Sequence, residues 1–370
     1  MMEPKVLLIV GPRERFSYTR ESLESIYNDT NYPFDLVYVD VCSPAPIRRY
    51  LEEQAQQKQF TLLHTDYYVS PNQARNVGLQ YLLNHAKGCY KYVVLIENDV
   101  IVKSGWLTKL VQCAEETGAA VVGPLTCIGQ PVHQVIHNAG GKSQILTEVK
   151  GDHIRRRIYQ SAALTGKAVA EVPERLRRKK TDYVEFHCML VQTAIFEKTG
   201  LLDEGMLATR EHIDFCFEVT QAGGSIYSER EAVVTTDTVG IETNKEGLID
   251  WFGTMQLPDF EWSDLPYFMV RWSDAWDLAS LHHLRDKWDL TEDEYFKKRY
   301  QKLGARRHEL LIKPLVNRLT FGKGNPWLEK FLIALERPLN HYIYYRYTRY
   351  KARILNQQKA PEQELLLKAN

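Results

Sequence analysis

The stretch Tyr92-Val93-Val94-Leu95-Ile96-Glu97-Asn98-Asp99 constrains this chain more than any other. A short unbroken apolar run fits a strand buried on both faces, as in a parallel sheet. Two carboxylates directly after it stand where open α/β sheets bind ligands, outside the carboxyl ends of the strands. Asp and Glu oxygens suit hard cations such as Mg2+ or Mn2+, above all when substrate phosphates complete the shell. The plainer reading is a polar turn that closes a strand.

The sequence around this strand alternates. Lys5 to Val10 reads as a strand, Ser17 to Asn28 as a helix, and Phe34 to Val41 as a strand that carries Asp40 near its end. Ile47 to Gln57 reads as a helix, Phe60 to His64 as a strand, and Asn72 to His85 as a helix. After the central strand come a helix over Trp106 to Thr117 and a strand over Ala119 to Gly123. This βα alternation predicts a mostly parallel sheet flanked by helices. Residues 124–182 are weakly patterned and read as a long loop or flap. Further strands are expected at Tyr183 to Gln192 and Ser225 to Thr235, with a helix opening near Thr209 to Asp214 between them.

The chain has 370 residues and a net charge of zero, which argues against nucleic acid or another polyanion as partner. The charge is unevenly spread. Residues 271–370 hold 20 basic and 12 acidic groups, leaving 27 and 35 of the 47 each for residues 1–270. From about residue 244 the character changes, with Trp251, Phe252, Trp262, Trp272, Trp276 and Trp288 among mixed charges, then basic helices. Residues 1–243 are therefore expected to form the α/β body and 244–370 a mainly helical, basic, aromatic-rich extension. No apolar run approaches the roughly 18 residues that span a bilayer. The first residues read as a strand and not as a signal peptide. The six cysteines show no CxxC pair, which fits reduced thiols in the cytoplasm and argues against a zinc site of cysteines.

Several blocks then occur in a telling order: Asp40; Ala74-Arg75-Asn76-Val77-Gly78; Leu95-Ile96-Glu97-Asn98-Asp99 with Gly105-Trp106-Leu107; His187-Cys188-Met189-Leu190-Val191 with Gly200-Leu201-Leu202-Asp203-Glu204; and Glu211-His212-Ile213-Asp214. Together they resemble the inverting family 2 glycosyltransferases of GT-A (Rossmann-like) fold, over about residues 4–240. The resemblance implies transfer from a nucleotide-diphospho-sugar to a glycan or lipid-linked acceptor, with a divalent cation, Mn2+ or Mg2+, and a place in polysaccharide assembly. It implies a base-contacting carboxylate at Asp40 and a donor site including Pro12 and Asn98. Two positions depart from the family. His212 stands where its catalytic Asp is usual, and Val234-Thr235-Thr236-Asp237 where a His is frequent.

Such a reaction needs its diphosphate neutralised, its acceptor hydroxyl deprotonated, and both substrates held together. Asp99 is the expected metal ligand, with Glu97 on the donor ribose, the sugar or a metal-bound water. Arg75 would reach the diphosphate or donor sugar with its forked donors, or else bridge helix and sheet. Glu211, His212 and Asp214 lie within one helical turn and supply the base, Glu211 ranked first, Asp214 more suited to supporting the helix start. Two other readings stay open: an inactive nucleotide-sugar-binding or scaffold protein, and a nucleotidyltransferase, though Gly11-Pro12-Arg13-Glu14 is not a phosphate loop. The stretch Asn340 to Ile354, with tyrosines 342, 344, 345, 347 and 350 among basic residues, reads either as a packed helix or as a peripheral membrane contact.

Overall fold

Strand β4 (Tyr92–Glu97) lies at the centre of the sheet. The computed structural model describes residues 5–151, 153–238 and 261–368. The expected boundary at residues 243 and 244, with Trp251 and Phe252, lies outside the described residues. In β4, Val93 and Leu95 enter one buried cluster while Tyr92, Val94 and Ile96 enter the other. The unbroken apolar run is thus explained by period-2 alternation into two cores, one on each side of the sheet.

The chain builds this sheet in the order expected. Strands β1 (Val6–Gly11), β2 (Phe34–Val41) and β3 (Thr61–Thr65) alternate with helices α1 (Thr19–Asp29), α2 (Ala45–Lys58) and α3 (Pro71–His85) before β4. Then follow β5 (Ile101–Val102), α4 (Trp106–Thr117) and β6 (Val121–Ile128). β7 (Ile136–Asn138) pairs with β6. β8 (Gly141–Lys150) and β9 (His153–Ala162) form a separate antiparallel hairpin, and β10 (Lys179–Thr181) returns to the sheet. β11 (Cys188–Gln192), α5 (Phe196–Thr199), α6 (Glu211–Gln221) and β12 (Ile226–Thr236) complete it. The main path runs β10-β12-β6-β11-β4-β1-β2-β3, parallel except for β10 and β11.

Two expectations are corrected here. The loop or flap over 124–182 is largely β structure, because Ile145 and Ile158 turn inward while their neighbours face water, a half-buried pattern spread over too few residues to read. The strand expected from Tyr183 begins only at Cys188; Tyr183 to His187 instead carries polar groups into the site.

The motif glycine Gly78 has a packing reason. A Cβ there would come 2.4 Å from Ile9 Cγ2, so α3 can approach β1 only with no side chain between them. Gly78→Ala is expected to destabilise the fold by roughly 1–3 kcal/mol through overpacking, seen as a lower thermal midpoint.

The C-terminal helices are α7 (Leu265–Arg271), α8 (Asp274–Lys287), α9 (Glu294–Tyr300), α10 (Ala305–Arg307), α11 (Lys313–Leu319) and α12 (Pro326–Lys368). Tyr267, Leu281, Leu284, Trp288 and Phe296 join the same buried cluster as α3 and α6, so this region covers one face of the sheet. Midway along α12, Tyr347 packs on Tyr68 and Trp276, and its hydroxyl donates to the Tyr68 carbonyl. Asn340 donates to the Met269 carbonyl at 2.8 Å. The packed-helix reading therefore holds for Tyr347, while Tyr342, Tyr345 and Tyr350 face solvent.

Candidate active site

The carboxyl ends of β1, β4 and β12 meet at one point, and the chain concentrates charge there. Arg13 Nη1 lies 3.0 Å from Asp99 Oδ2 and 2.9 Å from Asp237 Oδ1, and Arg13 Nε lies 3.6 Å from Glu97 Oε2. Arg306, from α10, reaches Glu14 at 2.7 Å and Asp237 at 2.6 Å, and Arg15 reaches Asp237 at 3.2 Å. Arg75 donates to Glu97 Oε1 at 2.9 Å from the other side. Charges this deeply buried persist only when paired and hydrogen-bonded.

Pairing divides these acids into two kinds. Burial opposes the charge of Glu97, yet His187, Arg13 and Arg75 outweigh it and hold Glu97 down at about 2. Glu14, likewise buried, is held at about 2 by Arg306, Arg13 and Arg15. Asp237 is buried too, and Arg13, Arg306 and Arg15 keep it far below the usual carboxylate range. Asp99 goes the other way. Its burial, with repulsion from Glu97, Asp237 and Glu14, outweighs Arg13 and raises it. Asp99 Oδ2 also accepts from Thr236 at 3.2 Å, but Oδ1 is buried with no hydrogen-bond partner.

That orphaned oxygen bears on the divalent cation. Asp99 and Asp237 converge on a single nitrogen of Arg13, and both present the hard oxygen ligands that Mn2+ and Mg2+ take. The donor set therefore fits such an ion, with Asp237 added to the expected ligand Asp99.

The other expected donor residues are brought to the same edge but are used differently. Pro12 is buried at the end of β1. Asn98 is fully engaged with its own chain: its amide donates to the Arg15 carbonyl at 2.8 Å and to Thr19 at 3.1 Å, and its oxygen accepts from the Arg13 amide at 3.0 Å. These bonds shape the loop after β1. Asp40 accepts from the Ser43 amide at 3.1 Å and lies 2.8 Å from His64 Nδ1, both near the β2 end. Arg75 takes the helix-to-sheet bridging role, stacked over Phe186 with its guanidinium 4.2 Å from the ring centre.

At the opening of α6, Glu211 is nearly buried, with Arg271 Nη2 at 3.6 Å from Oε1. Arg210 before it adopts a left-handed conformation with φ 69°, which turns the chain sharply into the helix. His212 is depressed by burial, against the field of Glu185 and Glu211, and its Nε2 has no hydrogen-bond partner. Asp214 accepts from Trp288 Nε1 and Lys287 Nζ, each at 2.7 Å, which ties the start of α6 to the end of α8.

Sequence reasoning missed Arg13, Glu14, Arg15, Arg271 and Arg306. For the first three a signal existed, since alternating charges directly follow a buried strand. Arg271 and Arg306 lie in helices far along the chain, and only the fold brings them here.

Residues 12–170 match the model of the glycosyl transferase family 2. That range contains Glu97 and Asp99 but ends before Glu211 and Asp237. Among curated proteins no match is found. Among solved structures, a crystal structure of GalNAc-T7 with UDP, GalNAc and Mn2+ is 14% identical, covers 82% of this chain and 58% of its own, and has a TM-score of 0.47. Staphylococcus aureus (S. aureus) TarS is 14% identical over 92% of this chain and 52% of its own, with a TM-score of 0.44. Residues 1–349 of TarS with UDP-GlcNAc are 14% identical over 93% and 92%, with a TM-score of 0.43. This chain thus spans little more than half the length of the first two. These likenesses are too distant to bear on function, and the family match carries the weight. Over residues 12–170 the chain is similar to glycosyl transferase family 2, and the mostly parallel sheet with flanking helices and the acidic edge of β4 agree with that likeness.

Proposed function

We propose that the protein transfers a sugar from a nucleotide-diphospho-sugar to an acceptor hydroxyl, with inversion and with help from Mn2+ or Mg2+. The observation that carries this reading is the buried acidic cluster around Asp99 at the carboxyl edge of the sheet, with Glu97 and Asp99 inside the family match. Asp99 and Asp237 would hold the cation, which supplies charge to neutralise the leaving diphosphate. Arg13, freed from those carboxylates, adds a forked cation at the same edge. Glu211 takes the acceptor proton as the acceptor oxygen bonds to the anomeric carbon. The bond to the diphosphate breaks on the opposite face, which inverts the centre. Arg271 orients Glu211, and Glu97 stays ionised through its pairs with Arg75 and His187.

A calorimetric screen of nucleotide sugars, with and without Mn2+, tests this directly. At least one donor should bind, more tightly with Mn2+, and release its nucleoside diphosphate when acceptor glycans are added. Binding without any release would favour an inactive sugar-nucleotide-binding protein, and no binding at all would sink the reading.

The acceptor side of the proposal rests on α12. Trp327, Phe331, Leu335, Leu339, Tyr342 and Tyr345 are all at least half exposed and recur at helical spacing. Lys330, Arg337, Arg346 and Arg349 are exposed beside them. No helix among the described residues is long and apolar enough to cross a membrane. An apolar stripe with basic flanks instead suits the surface of an anionic bilayer, each cation adding about 1 kcal/mol. Full-length protein should co-sediment with phosphatidylserine vesicles at low salt, and Trp327→Ala with Phe331→Ala should largely abolish this. Equal binding by a chain ending near residue 338 would instead exclude the tyrosine-rich half of α12 from the contact.

A further inference from the structure

Beside the acidic cluster lies a second constellation, of which only His187 enters the proposed transfer, through its pair with Glu97. His137 on β7 and Glu185 and His187, just before β11, bring their side chains together from distant parts of the chain. Glu185 Oε2 lies 3.1 Å from His137 Nε2 and 3.5 Å from His187 Nε2. One ligand atom from each residue lies within 4.8 Å of the other two. Two ligands at roughly 2.0–2.1 Å from a tetrahedral ion are about 3.3 Å apart, so both measured separations already match such a shell.

Three observations distinguish this group from an ordinary cluster of polar side chains. Glu185 Oε2, though close to both rings, is buried and makes no aligned hydrogen bond. Next, the other nitrogen of His187, Nδ1, lies 2.6 Å from Glu97 Oε2. With an ion bound in place of the Nε2 proton, Glu97 would accept the Nδ1 proton and fix the ring, the outer-shell arrangement typical of metal-bound histidine. Finally, the three side chains are 34%, 18% and 12% exposed in the order His137, Glu185, His187, so an ion can reach them from solvent.

We infer that His137, Glu185 and His187 form a binding site for a borderline divalent transition-metal ion, Zn2+ first among them. Two imidazoles and one carboxylate are a nitrogen-rich set that selects such ions over Mg2+, whose preference is for oxygen alone. With three protein ligands the shell keeps an open position, as in zinc sites that bind water or substrate. The site is separate from the Asp99 and Asp237 carboxylates but linked to them through Glu97, which touches both His187 and Arg13. It does not depend on the proposed transfer reaction.

The test is Zn2+ binding to the full-length protein stripped with chelator, by equilibrium dialysis and metal analysis, repeated with Co2+ to read the visible bands of a nitrogen-ligated ion. One equivalent should bind, with Co2+ bands of a low-symmetry site. His137→Ala and Glu185→Gln should each weaken binding at least roughly tenfold, the scale on which even an outer-shell partner matters. Asp99→Asn should retain it. Glu185→Gln keeps the shape of the side chain, so it decides if His137→Ala folds poorly. The assignment is overturned if no stoichiometric ion binds, if both variants bind as the parent does, or if binding is lost only in Asp99→Asn.

Discussion

Glu211→Gln is expected to lower kcat by roughly 100-fold or more while leaving donor affinity nearly unchanged, because a general base contributes on that scale. The substitution keeps the size of the side chain and its place at the start of α6, and it removes only the capacity to take a proton. Arg271 remains held by the Ala208 carbonyl at 2.6 Å and the Arg13 carbonyl at 3.2 Å, so the arginine does not collapse when its carboxylate is neutralised. His212→Ala is the necessary companion. Its imidazole is kept neutral by burial and its Nε2 is unengaged, which are the properties of a base in waiting. The ranking is read from turnover of the donor found in the nucleotide-sugar screen. If His212→Ala costs more than Glu211→Gln, the proton goes to His212, the residue standing where the family usually has its catalytic Asp. Asp214→Asn should behave differently from both. It breaks the tie to Lys287 and Trp288, so its loss should appear in thermal stability before it appears in kcat.

The strands and helices of the body were legible because burial imposes a period. β4 and α4 stand where the apolar pattern puts them, since one is buried on both faces and the other on one. The hairpin β8–β9 was not, because its face-alternation is broken by the basic run Arg155-Arg156-Arg157 and only two inward apolar positions, Ile145 and Ile158, carry it. The site divides in the same way. Glu97 and Asp99 follow directly from a strand end, a local rule. Their partners do not, since Arg13, Arg75, His187, Asp237 and Arg306 are joined only through the parallel sheet order and the return of the C-terminal helices. Asn98 is a different case. It sits between the two acids expected in the site, and its amide is engaged in holding the loop after β1. Neighbourhood in sequence suggests a donor contact, while its part in holding the loop becomes visible only in the hydrogen bonds of the fold.

Asp99→Asn is expected to abolish the Mn2+-dependent part of donor binding and, in the same protein, to raise its stability at neutral pH. The first effect follows from chemistry: an amide is a far poorer ligand than a carboxylate for a hard divalent ion, and Asp99 holds the buried oxygen left without a partner. The second follows from linkage. Because burial and the neighbouring acids raise Asp99 above its unfolded value, its ionised form is disfavoured by folding. A group raised in this way favours the fold while protonated, and that contribution is lost as pH rises through its folded value. Folding therefore works against the charged form of Asp99, a cost that the neutral amide relieves. Arg13 keeps Asp237 and Glu97 as partners, so the substitution does not strand it. Thermal midpoints measured in chelator should be higher for Asp99→Asn than for the parent at pH 7, with the difference shrinking as pH falls through the raised value of Asp99. Donor titrations with and without Mn2+ give the other half. Retained Mn2+ dependence would remove Asp99 from the ion's shell. A lower midpoint at neutral pH would mean that Arg13 stabilises the charged carboxylate more than burial and the other acids oppose it. Loss of ion binding together with a gain in stability would identify Asp99 as a residue kept for the reaction at the expense of the fold.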